Sequence, residues 1–247
     1  GGGSHRRSGG EGVAPAEPRR LDVPVAAVVL TALFVSALVT AQVISAKLLA
    51  VSLPVLGAVT APGGTLAYAV TFFASDCLSE LYGKSYARKV VNVAFGMNFV
   101  LLGLVFATIA TPAAQGSVDP AAFETVLGLS GNVVLGSLAA YVISQNWDVI
   151  AFHRIREFTD GDALWLRNVG STASSQLIDT VVFTLVAFAV APAVLGVGAA
   201  LPTPVLVSLV VGQYVLKLLI ALVDTPLVYA AVALVRRDED AAAAASA

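Results

Sequence analysis

The sequence predicts an all-α, polytopic membrane protein of six transmembrane helices with both termini in the cytoplasm. Three observations lead there. Charged residues make up only 12% of the chain and hydrophobic ones 57%, whereas an ordinary soluble domain is about 25% charged. Apolar runs long enough to cross a bilayer recur, separated by polar or Pro/Gly-rich punctuation, and the mean hydropathy is +0.86. The basic residues also gather in alternate connections. The formal net charge of −2 adds little, because the charge is spread so unevenly.

A helical span needs about 20 mostly apolar residues, and six segments qualify: Val23–Leu49, Gly64–Tyr82, Ala87–Ala110, Gly131–Phe152, Asn168–Val190 and Pro204–Val235. They are too long for barrel strands and show no two-residue alternation, which favours helices. The stretches "TPAAQGSVDP" and "APAVLGVGAALPTP" carry the breakers expected of loops, and Pro120–Ser130 suits a short interfacial helix. Residues 1–22 are polar and rich in Gly and Pro, and are expected to form a disordered leader; residues 236–247, "RRDEDAAAAASA", are expected to form a disordered acidic and alanine-rich tail. The transmembrane domain is therefore 23–235.

Orientation follows from Lys and Arg. Arg6, Arg7, Arg19 and Arg20 precede the first span; Lys84, Arg88 and Lys89 join the second to the third. Arg154, Arg156 and Arg167 fall between the fourth and fifth, and Arg236 and Arg237 follow the sixth. The connections after spans one, three and five hold none, although Lys47 lies just inside the outer end of span one. The positive-inside rule then puts both termini and the even-numbered connections in the cytoplasm.

Several ionisable residues remain at membrane depth, where each costs at least about 2.5–3.5 kcal/mol on the insertion scale. Glu80 and Asp148 lie near the cytoplasmic ends of spans two and four, as coupling or structural charges; Glu80 is spaced to pair with Lys84 at i+4. Asp76 lies deeper, with Phe72 four and Phe73 three residues before it, which puts aromatic carbon and a carboxylate on one helix face. Asp179, midway along span five, has Gln176 at i−3 and Ser175 at i−4. Span six repeats the arrangement with Gln213, Lys217 and Asp224 at steps of four and seven. Lys217 is either part of a binding site or the neutralising partner of one of these aspartates. In both cases the polar stripes must meet inside the bundle, which is how helical transporters line a site near the bilayer midplane. Carboxylates and amides beside Phe72, Phe73, Tyr68, Trp147 and Tyr214 suit a flat polar heterocycle, although a carboxylate serves equally as a proton relay.

Soluble-enzyme constellations and nucleic-acid-binding features are missing from the sequence. It has no Walker A loop. His153 follows span four as a loop residue, and no Cys/His spacing fits a metal. "GLSGN" departs from G-x-S-x-G. Neither cofactor nor metal is expected.

Three blocks carry a family resemblance. "PGGTLAYAVTFFASDCLSELYGKSYARKVV" contains Asp, then Glu-x-Tyr-Gly, then Ala-Arg. "YVISQNWDVIAFHRIRE" with "LWLRNVGSTASSQLIDTVVFTLVAF" forms the second block, and "VGQYVLKLLIALVDTPLVYAAV" the third. In this order the chain resembles the VUT family of queuosine precursor transporters from Thr31 to Val235, departing from it in span one at Ala46 and Lys47. The resemblance implies an inner-membrane importer of a deazaguanine for tRNA modification: 7-cyano-7-deazaguanine, its aminomethyl relative, or queuine. It also suggests kinship with the substrate-binding components of energy-coupling-factor vitamin transporters, which makes such a subunit, with a separate energising module, the alternative function. An intramembrane enzyme is the third. On the main reading Asp179 and Asp76 accept N–H bonds from the base, or one of them carries a coupling proton. Gln42, Gln176 and Gln213 complete the edge, Lys217 orients a carboxylate, and the aromatics of span two stack. Lys47 and Tyr214 complete the candidate set, and the spans leave room for a homodimer.

Overall fold

A computed structural model describes residues 23–53, 57–159 and 164–246; the proposed leader, residues 1–22, lies outside them. The chain runs α1 (Val25–Ile44), β1 (Leu48–Leu53), β2 (Gly57–Pro62), α2 (Gly64–Tyr82), α3 (Lys84–Ala110) and α4 (Pro120–Phe158). It continues through α5 (Leu164–Leu185), a π-helical turn (Val186–Val190), the short α6 (Ala191–Leu195) and α7 (Thr203–Ser246).

Helix α1 has 20 residues, about 30 Å at 1.5 Å per residue, which matches a hydrocarbon core of about that thickness. Its buried residues Ala27, Leu30, Phe34, Ala37, Leu38 and Ala41 recur at steps of three and four apart from the adjacent pair Ala37 and Leu38, so one stripe faces the bundle. Helix α4 starts sharply because Asp119 accepts a hydrogen bond from the Ala122 N–H at 3.0 Å and Pro120 occupies the first turn. Five helical segments are long and apolar enough to cross a membrane: α1, α3, and the stretches Pro120–Ile155, Val169–Leu195 and Thr203–Asp238. Helix α2 is not among them. Its 19 residues include Tyr68, Thr71, Ser75, Asp76 and Glu80, which lower its hydropathy although it packs between α1 and α7.

Four features depart from the sequence expectation. Span one ends at Ile44, and an antiparallel hairpin follows, with Leu48 opposite Pro62 and Leu53 opposite Gly57. Strand β2 lies against α7 so closely that a Cβ on Gly212 would collide with the Thr60 carbonyl oxygen. The segment Pro120–Ser130 is continuous with span four in one 39-residue helix. Helix α7 runs to Ser246, through the segment whose composition suggests a disordered tail. Finally, Gly83 at φ +85° separates α2 from α3. Glu80 and Lys84 therefore sit on different helices, and the expected i+4 ion pair is not formed. Instead the Glu80 carbonyl oxygen accepts a bond from Arg236 on α7 at 3.3 Å.

The helices surround the molecule's centre. Contacts run from α7 to α2, α2 to α1, α1 to α3, α3 to α4, α4 to α5, and α5 back to α7. One apolar cluster joins α1, α2, α3 and α7 through residues such as Leu30, Leu78, Val90 and Val228. A second joins α4 to α5 and the π turn through Val133, Ala140, Phe183 and Ala187. Between these two clusters lies a cavity.

Candidate functional site

The cavity has a volume of about 190 Å³ and is lined from all six long helices that ring it. Helix α2 presents Tyr68, Thr71, Phe72 and Ser75 at steps of three, one and three, the stripe expected of one helical face. Helix α4 does the same with Ser137, Ala140, Tyr141, Ser144 and Gln145. Gln176, Asp179 and Phe183 come from α5, Gln213 and Lys217 from α7, Phe34 and Leu38 from α1, and Val91 and Phe95 from α3.

Among the described residues, charge enters this cavity as one pair. Lys217 Nζ donates to Asp179 Oδ2 at 2.8 Å, the single ion pair among the described residues. It also donates to Thr180 Oγ1 at 3.1 Å, and that hydroxyl donates in turn to the Gln176 carbonyl oxygen at 2.8 Å. Ser144 Oγ donates to the other carboxylate oxygen, Asp179 Oδ1, at 3.3 Å. Helices α4, α5 and α7 are thus tied by one network, the satisfied arrangement that makes ions tolerable at membrane depth.

A neutral polar layer surrounds the pair. Gln213 Nε2 donates to Thr184 Oγ1 at 2.9 Å. Ser137 Oγ donates to Gln42 Oε1 at 3.2 Å and lies 3.5 Å from Tyr68 Oη. Thr71 and Ser75 donate their hydroxyl protons to the carbonyls of Tyr68 and Phe72, leaving their oxygen lone pairs free to accept from a ligand. The side-chain amides of Gln145 and Gln176 have no hydrogen-bond partner among the described residues. Aromatic faces complete the wall: Phe95 stacks on Tyr141 with centroids 4.4 Å apart, and Tyr141 Oη donates to Asn92 Oδ1 at 2.8 Å.

The sequence-predicted residues divide into two groups. Asp179, Gln176, Gln213, Lys217 and Phe72 come together at the cavity, with Gln42 fully buried one layer behind through Ser137. The others do not join them. Asp76 is exposed and close enough to Asp224 and Glu80 for their charges to interact. Phe73 and Asp224 line an apolar groove between α2 and α7 on the outside of the bundle; Asp224 is only 6% accessible and has no hydrogen bond or ion pair among the described residues. Tyr214 donates instead to the Ala173 carbonyl oxygen at 3.2 Å, bracing α7 against α5. Trp147 donates to Ser174 at 3.1 Å. Lys47 stands at the base of the hairpin, where its carbonyl oxygen accepts from Gly63 at 2.7 Å. Asp148 is partly buried in the α4 interior, outside the cavity. The expectation that the polar stripes meet in one chamber is therefore corrected for Asp76 and Asp224, which lie outside the cavity on the α2–α7 side. Sequence reasoning also missed Ser137, Ser144 and Gln145, although their spacing with Tyr141 traces one face of α4.

This geometry supplies a polar chamber with planar apolar walls, of a size that holds about six waters. It is smaller than the roughly 300–1,000 Å³ of pockets for drug-sized ligands, and so fits a single fused-ring solute. Comparison with known proteins agrees with a solute-handling role. A family model described as "Putative vitamin uptake transporter" matches residues 62–231. The chain is 38% identical over 181 residues to a "Probable queuosine precursor transporter" of Bacillus subtilis (strain 168), covering 73% of this chain and 75% of the relative. It is 27% identical over 125 residues to a protein of the same description from Haemophilus influenzae (strain ATCC 51907 / DSM 11121 / KW20 / Rd), covering 51% of each. No solved structure gives a significant match.

Proposed function

The chain belongs to the vitamin uptake transporter family, and from that premise we propose that it imports a deazaguanine precursor of queuosine across the cytoplasmic membrane. It is a multi-pass membrane transporter and not an enzyme. The observation that carries the proposal is the central cavity, where aromatic faces, free glutamine amides and a self-compensated ion pair meet. A 7-deazaguanine is flat and offers N–H donors beside a carbonyl oxygen. An amide can answer both, since it donates and accepts through adjacent atoms. The rings of Phe72, Phe95 and Tyr141 offer surfaces on which a heterocycle stacks.

In this reading α2 is the sixth span. Its polar residues are admitted because one stripe lines the cavity, and polar residues at depth are tolerated where they face a wet interior. Six spans then place both termini on the side of Lys84, Arg88 and Lys89, the cytoplasm.

Uptake of radiolabelled 7-cyano-7-deazaguanine into liposomes holding the purified full chain tests the function. Time-dependent accumulation that unlabelled base competes away is expected, and Asp179→Asn should abolish it while the protein still folds. Binding without accumulation would instead assign transport to a complex with a separate energising module.

A further inference from the structure

We propose that the Asp179–Lys217 pair sets the net charge of the transport cavity to zero and thereby selects a ligand without net charge. Analogues of the same base bearing an ammonium or carboxylate arm are excluded. The inference rests on the reading of this cavity as the substrate site and specifies which members of the substrate class enter it.

Three features of the site carry it. Among the described residues, Asp179 and Lys217 are the only ionised side chains lining the cavity, opposite in sign and 2.8 Å apart. Both are already committed: Lys217 and Ser144 occupy the two carboxylate oxygens, and Thr180 takes a second bond from the ammonium. Neither Asp76 nor Asp224 lines the cavity, Asp224 lying in the outer groove between α2 and α7. A ligand ammonium would therefore have to displace Lys217 from Asp179, leaving two cations beside one anion. A ligand carboxylate would create the mirror imbalance at Lys217. Uncompensated charge away from bulk water is strongly disfavoured. A neutral lactam meets no such obstacle, because the groups left open to it are amides and hydroxyls.

The test uses three near-isosteric probes that differ in charge at neutral pH: the 7-cyano (neutral), 7-aminomethyl (cationic) and 7-carboxy (anionic) derivatives of 7-deazaguanine. Their affinities are measured by calorimetry on the full chain in lipid nanodiscs. The wild type should bind the neutral probe roughly tenfold or more tightly than either charged one. Lys217→Gln, with a cavity charge of −1, should shift the order toward the cation, and Asp179→Asn toward the anion. The double variant Asp179→Asn/Lys217→Gln, again balanced, should restore the neutral-over-charged order whatever its absolute affinity. Should a single variant fail to fold, the wild-type series and the double variant decide the matter. Equal wild-type affinity for neutral and cationic probes overturns the inference and leaves the transport reading standing; so does an unchanged order in Lys217→Gln. Wild-type protein that binds none of the three overturns both.

Discussion

Neutralising either partner of the Asp179–Lys217 pair should destabilise the fold, and the two losses should not add. The charged groups meet at 2.8 Å, which puts their charge centres about 4 Å apart. At an effective dielectric constant of about 20 the attraction is then about 4 kcal/mol. Removing one member of a buried pair typically costs about 3–5 kcal/mol, because the survivor is stranded. The side chains here are 11% (Lys217) and 27% (Asp179) accessible, so cavity water tempers the loss to about 2–3 kcal/mol. The burial also predicts an asymmetry. Asp179→Asn strands the better-buried lysine, whereas Lys217→Met leaves an aspartate that keeps Ser144 and more water, so the first variant should suffer more. The double variant Asp179→Asn/Lys217→Met should lose about 2 kcal/mol less than the sum of the singles. Thermal unfolding in detergent reads this as a fall of roughly 4–10 °C for each single variant. Additive losses in the cycle would refute the claim that these two charges hold α5 to α7.

Other substitutions separate the cavity from its surroundings. Phe72→Ala removes a cavity wall and should weaken binding of the base by about 1–3 kcal/mol, the usual worth of a base–aromatic stack. Phe73→Ala opens only the outer groove and should leave affinity within about twofold of wild type. Asp76→Asn should likewise keep the neutral-over-charged order of binding in calorimetry, while Asp179→Asn shifts it toward the anion; a reversed result would place the site on the other face of α2. Gly212→Leu drives a side chain into the Thr60 carbonyl and should cost about 1–3 kcal/mol in thermal unfolding. Gly96→Ala, where a Cβ meets nothing, should stabilise by up to about 1 kcal/mol.

The helices were legible because a bilayer leaves few options for the backbone: a long apolar run must satisfy its own N–H and C=O groups, and a helix does so. The hairpin was not, because "LLAVSL" and "GAVTAP" are short apolar runs whose period distinguishes neither helix nor strand. Leu48 and Leu49 therefore read from the sequence as the end of span one. On α5, Gln176 and Asp179 line one wall of the cavity, and so do Gln213 and Lys217, the first step of the stripe on α7. The next step leaves the cavity. Seven further residues carry the helix about 10 Å along its axis, past the cavity, where Asp224 meets α2 instead. On α2 the adjacent residues Phe72 and Phe73 point about 100° apart, so one reaches the cavity and the other the groove.

What the sequence revealed about the site was in proportion to what each residue costs within a membrane. A buried charge is expensive, so Asp179 and Lys217 stand out at their depth without any structure. Ser137 and Ser144 are cheap, because a hydroxyl can donate to a neighbouring side chain or to its own helix; the single Ser144 proton has both the Asp179 carboxylate and the Tyr141 carbonyl within reach. Gln145 is partly hidden for a similar reason, since a neutral amide at the cavity wall needs no counter-ion. Among the described residues the amides of Gln145 and Gln176 are still free to bind a ligand, whereas the conspicuous charges are occupied with each other. On the proposed reading, the residues easiest to find set the electrostatic condition of the chamber, and the quiet ones on α4 and α5 read the shape and hydrogen-bonding edge of the base inside it.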